Sequence, residues 1–106
     1  MATTHFAFGA ALSNESANPV PAMQTTGGGI VTEALTPSGS NQQTTGSAPS
    51  ATSRTPICRI ATDTQVYVSF GSNPNASSDT VKFLIPANAI EYFYVKPGDK
   101  AAVVNG

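Results

Sequence analysis

Few residues in this chain could do chemistry, and their spacing keeps them apart. There is one histidine, His5, and one cysteine, Cys58, and most of the first half of the sequence separates them. A thiol nucleophile needs a base within hydrogen-bond reach, and a histidine so near the chain start reads as a solvated side chain. A lone cysteine can form neither an intrachain disulfide nor a cysteine metal site, so Cys58 reads as a small buried hydrophobe. Asp63, Asp79 and Asp99 fall in turn sequences, where aspartate accepts from backbone N–H groups. Glu91 falls within a strand-like run, where Arg59 or Lys82 is the expected cross-strand partner. No loop alternates carboxylates as calcium requires. Gly27-Gly28-Gly29 lacks the following Lys-Ser/Thr and the preceding strand of a phosphate loop. The expectation is a protein with no catalytic residues, no metal and no cofactor.

Composition narrows the partners. Charged residues make up 10% of the 106 positions and the net charge is −1, against roughly 25% charged in ordinary soluble domains. Tyr67, Tyr92 and Tyr94 could stack bases, but five scattered basic residues give no groove for a nucleic-acid backbone. Nucleic acid and anionic membrane are therefore not expected partners. No apolar run approaches the ~20 residues of a membrane span. Met1 to Leu12 has no basic segment ahead of its broken apolar run, so no signal peptide is expected and synthesis is placed in a cytoplasm. A net charge near zero favours association.

The elements that would position these groups are strands. Gln65 to Phe70 alternates cleanly, with Val66, Val68 and Phe70 on one face. Pro56 to Ala61, Val81 to Ile85 and Lys100 to Val104 read as further strands, with Val81, Phe83 and Ile85 facing inward. Ile90 to Val95 is apolar on both faces, which predicts cover on both. Lys96-Pro97-Gly98-Asp99 has the residue order of a type II turn. Ile30 to Leu35 reads as a short strand and Ser40 to Thr45 as an edge strand or extended loop. No segment has a helical period. Turn signals at near ten-residue intervals indicate an all-β fold, a small antiparallel β-sandwich or jelly-roll-like module.

Residues 1–29 read differently. Pro19 and Pro21 favour extended geometry and the glycine run has no side chains to pack. Phe6 and Phe8, at spacing two, stand far from the β region and read either as anchors for another subunit or as part of a fraying terminus. The expected organisation is an extended N-terminal arm over 1–29 and a β module over 30–106, best defined over 56–104. Deleting Met1 to Gly29 is then expected to leave a soluble module. The expected protein-contact residues are Phe6, Phe8, Val20, Met23 and Ile30 in and beside the arm, with Tyr67, Phe93 and Tyr94 in the module, since aromatics dominate interface hot spots.

One set of motifs carries a resemblance. Arg59 to Thr64 (RIATDT), Val66 to Ala76 (VYVSFGSNPNA), Leu84 to Ala87 (LIPA), Glu91 to Val95 (EYFYV) and Pro97 to Val103 (PGDKAAV) together resemble small all-β virion proteins of tailed bacteriophages. Some proteins of that kind are capsid decoration, or cement, proteins. The resemblance implies a structural protein of the virion surface, made in the bacterial host cytoplasm. Its partners would be the major capsid protein and copies of itself, as a dimer or trimer. It brings no catalytic residues with it. The alternative within the same resemblance is a minor protein of the tail or head–tail junction, or a fibre-associated module that meets the host surface.

Overall fold

The computed structural model describes residues 2–10, 30–49 and 56–106. The expected anchors Val20 and Met23 lie outside them. The described residues form eight strands in order: β1 (Thr4–Ala10), β2 (Val31–Leu35), β3 (Gln42–Gln43), β4 (Pro56–Thr62), β5 (Val66–Gly71), β6 (Phe83–Ile85), β7 (Ala89–Tyr94) and β8 (Lys100–Asn105). They form two four-stranded antiparallel sheets, ordered β2-β1-β4-β7 and β3-β8-β5-β6. The fold is an all-β, two-sheet sandwich.

The core follows from period-2 alternation on both sheets. Phe6 and Phe8 of β1 and Cys58 and Ile60 of β4 face Val66 and Val68 of β5, Ile85 of β6 and Ala101 and Val103 of β8. Full burial of such side chains contributes roughly 1.5–3 kcal/mol each for the larger ones. The outer face of the second sheet is covered as well. The loop after β5 folds back so that Ala76 packs on Ala102, Val104 and Tyr67.

Two expectations are corrected here. Residues 4–10 are not part of an arm: β1 pairs with β2 on one side and β4 on the other, inside the first sheet. Phe6 and Phe8 are each 1% exposed, so they fill the core and cannot anchor a second subunit from this position. The alternation Thr4, Phe6, Phe8 supplies the inward face, and Ala7 and Gly9 keep the outer face slim. The start of β1 is tied down by Asp63, whose Oδ1 accepts the Thr3 N–H at 2.8 Å.

The second correction concerns Val81. The ladder to β5 runs only from Phe83 to Ile85, and Val81 is 70% exposed. The chain before Phe83 is drawn away from the ladder by the loop that covers the outer face, with Lys82 Nζ donating to the Ser77 carbonyl at 3.4 Å.

The turn at Lys96-Pro97-Gly98-Asp99 matches its sequence. Gly98 has φ 86°, and the Asp99 N–H donates to the Lys96 carbonyl at 3.0 Å, as a type II turn requires.

Candidate interaction surface

The groups with chemical potential are mostly occupied by structural work. Asp63 accepts from Thr3. Asp79 Oδ2 accepts the Asn75 N–H at 3.0 Å, and Asp99 Oδ2 accepts the Lys96 N–H at 3.0 Å. Cys58 is fully buried, and burial pushes its thiol up to about 12. At neutral pH it is a protonated, inaccessible core residue. Among the described residues no group of three His, Cys, Asp or Glu side chains gathers to hold a metal ion.

Glu91 does not pair across the sheet as expected. Its neighbour on β4 is Ile60, while Arg59 lies opposite Tyr92. Adjacent residues in a strand point to opposite faces, so Glu91 and Arg59 are on different sides of the sheet. Lys82 instead places its ammonium 4.9 Å from the centre of the Tyr67 ring, a cation–π contact.

The outer face of the first sheet is open. Register puts Thr32, Ala7, Arg59 and Tyr92 in one row across it, and Ala34, His5, Ala61 and Ile90 in the next. The small residues in the middle leave a shallow groove of about 450 Å³, with His5 and Arg59 along its floor. His5 therefore reaches solvent from the centre of a sheet, not from a loose terminus.

Among the described residues, the large apolar side chains left in solvent are Val81 (70% exposed), Phe83 (43%), Leu84 (49%), Ile90 (53%), Tyr92 (44%) and Tyr94 (67%). All of them fall in the stretch that carries β6 and β7, the edge strands on one side of the sandwich. On that side the gap between the sheets is filled by aromatics. Phe93 lies 5.1 Å from Phe70 and 5.0 Å from Phe83, ring centre to ring centre, in tilted pairs. Tilted pairs at this range are favourable beyond their buried area.

The expected contact residues are divided by this geometry. Tyr94 is on the open surface. Phe93 faces inward and packs with the core, and Tyr67 is covered by the protein's own loop and by Lys82, so neither offers the free ring expected of it. Ile30 is half-buried just before β2. Ile90 and Tyr92 were missed as individual contacts. The sequence signal was their shared parity with Tyr94, opposite to that of Phe93.

Backbone polarity adds to the surface. The Val95 N–H donates to the Pro56 carbonyl at 3.1 Å. Hydrogen-bonding direction alternates along an antiparallel strand, so Phe93, Glu91 and Ala89 point their backbone groups at β4. Those of Ile90, Tyr92 and Tyr94 point out of the sheet.

The opposite side of the sandwich, at β2 and β3, is closed by polar bonds. The Glu33 carboxylate accepts the Thr45 N–H at 2.9 and 3.0 Å, the Gly46 N–H at 3.2 Å and the Thr45 hydroxyl at 3.2 Å. Gly46 lies so close to β2 that a Cβ there would overlap Val31 Cγ1. Gln43 Nε2 donates to the Pro74 carbonyl at 2.9 Å.

Comparison with family models, with curated proteins and with solved structures returned no match for this chain.

Proposed function

We propose that this chain is a structural binding module that decorates a bacteriophage capsid, docking on the assembled shell through the apolar β6–β7 side. The single observation behind this reading is the placement of every large exposed apolar side chain among the described residues on that one side. An apolar patch of this extent on an otherwise polar surface marks a contact with another protein. The motifs from Arg59 to Val103 support the virion assignment by resemblance.

The winding of the chain supports a jelly-roll reading of the sandwich. β5 pairs with β6, β4 with β7 and β3 with β8. These are nested pairs of one long hairpin rolled over itself, and β1 occupies the place beside β2 where the roll would otherwise end. Double-sheet rolls of this type recur in capsid and lectin domains.

Docking of this kind needs no reacting group. Each copy makes a modest contact, and repetition over a symmetric shell multiplies it. The groove beside His5 and Arg59 favours a second reading, a tail or fibre-associated module whose open sheet face meets the host surface.

Co-sedimentation of the purified chain with capsid shells of the phage that encodes it tests the first reading. The wild-type chain is expected to pellet with shells at hundreds of copies per particle, and Tyr94→Lys to stay in the supernatant. A stoichiometry of about a dozen or fewer per virion by gel densitometry would move the protein to the tail or junction.

A further inference from the structure

We propose that the β7 edge binds a second copy of this chain, β7 against β7 about a two-fold axis, joining the two first sheets into one continuous sheet. The inference rests on the β6–β7 side being the docking side: the second copy takes the backbone edge of β7, and the outer faces of Ile90, Tyr92 and Tyr94 stay open to the shell.

The edge of β7 is long and lightly guarded. Sheets normally blunt a free edge with a charged side chain, a proline, a bulge or a very short strand, and the one such device on β7 is Glu91. β6 is three residues long and leaves only Leu84 directed outward by the alternation of its ladder. β3 is two residues long. β2 has Glu33 bound to the neighbouring loop. β7 has six residues, AIEYFY, with neither lysine nor proline, and it presents the free backbone groups of Ile90, Tyr92 and Tyr94.

The strand is complementary to itself. In the antiparallel register centred on Tyr92, Tyr92 faces its own copy and Ile90 faces Tyr94 at both ends. These are aromatic–aromatic and aromatic–β-branched pairs, the favourable cross-strand combinations. The only charged residue of β7 is Glu91. In this register it lies opposite Phe93 of the second copy, so no like charges are directly opposed. The outward N–H and C=O groups meet their counterparts across the axis.

The side chains add to the backbone pairing. Ile90, Tyr92 and Tyr94 leave roughly 300–400 Å² in solvent, taking ~200 Å² for an aromatic side chain. Pairing covers the flanks that face one another across the axis and leaves their outer surface open. The net charge of −1 offers almost no repulsion between copies. An isologous contact also closes on itself, so the edge is consumed by one partner and does not propagate. The product is one wide sheet face bearing two His5–Arg59 grooves on either side of a ridge of tyrosines.

Sedimentation velocity of the full chain, from low micromolar to near-millimolar concentration, tests the pairing. The wild-type chain is expected to populate a dimer that grows with concentration. Tyr92→Pro removes an N–H that makes no bond to β4, so it should leave the domain folded and weaken pairing by about tenfold or more. Ile90→Lys, at an exposed side chain, gives the same readout without a backbone change, and far-UV circular dichroism confirms the fold of both. A wild-type chain that stays monomeric throughout overturns the proposal, as does a dimer that survives both substitutions or an open-ended series of larger species. The capsid co-sedimentation assay separates the two claims: a monomeric chain that still binds shells overturns the β7 pairing and leaves the docking reading standing. A monomeric chain that binds no shell overturns both.

Discussion

On the β2–β3 side, the Glu33 carboxylate takes the backbone N–H groups of Thr45 and Gly46, which ties the loop after β3 to β2. On the β6–β7 side, Phe70, Phe83 and Phe93 fill the gap between the sheets, and Ile90, Tyr92 and Tyr94 remain in water. The first side is tied to the chain's own loop and keeps its larger apolar side chains, Val31 and Leu35, packed on the core. The second leaves an edge strand with both backbone donors and apolar side chains unmatched. That difference separates the part of the molecule that serves folding from the part that serves binding.

Substitution should separate the two sides, and the largest effect should come from neither. β1 lies between β2 and β4, so removing Met1 to Ala10 is expected to abolish the folded state, read as loss of β-sheet circular dichroism. A soluble, folded truncated chain would restore the arm reading. Phe6→Ala is the milder form, with an expected loss of about 3–5 kcal/mol in urea denaturation. Next is the polar side: Glu33→Ala leaves Thr45 and Gly46 without their acceptor and should cost about 1 kcal/mol, small because the carboxylate is solvated. Tyr94→Lys on the apolar side should change stability by less than about 0.5 kcal/mol while abolishing association. If Glu33→Ala weakened association and Tyr94→Lys weakened folding, the assignment of the two sides would be reversed.

The core supplies a pH test of the same sandwich. Folding holds the Cys58 thiol neutral up to about 12, against an ordinary value of 9.0. Its contribution is whole below pH 9 and is lost as pH rises toward 12, because the unfolded chain ionises first. Stability should fall by on the order of 1 kcal/mol by pH 10, and Cys58→Ala should remove that slope. A smaller effect is expected at Ser69, whose buried hydroxyl has no partner among the described residues. Ser69→Ala should be neutral or stabilising by up to about 1 kcal/mol, measured as a rise in Tm.

Much of the fold is legible in the sequence. The strands from Pro56 onward announced themselves by alternation, and Lys96-Pro97-Gly98-Asp99 specified its turn through a proline and a glycine in the required places. The aspartates were read correctly as acceptors of backbone donors. β1 was not legible, because a seven-residue strand far from the β region gives no local sign of its partners. Its register with β2 and β4 depends on contacts more than twenty and more than forty residues away in sequence. The open surface was half legible. The doubly apolar run from Ile90 to Val95 pointed to a partner, but which face looks outward depends on the position of β7 at the sheet edge. Phe93 and Tyr94 were therefore grouped together, although one faces the core and the other faces water.

The most direct test is residue-resolved amide exchange of the full chain, dilute and concentrated, at the outward edge positions of both sides. Ile90, Tyr92 and Tyr94 should gain protection as concentration rises, while Thr32 and Ala34 on the β2 edge remain unchanged. Equal protection of both edges, or none at Ile90, Tyr92 and Tyr94, would contradict the assignment of the β6–β7 side as the surface on which this protein associates.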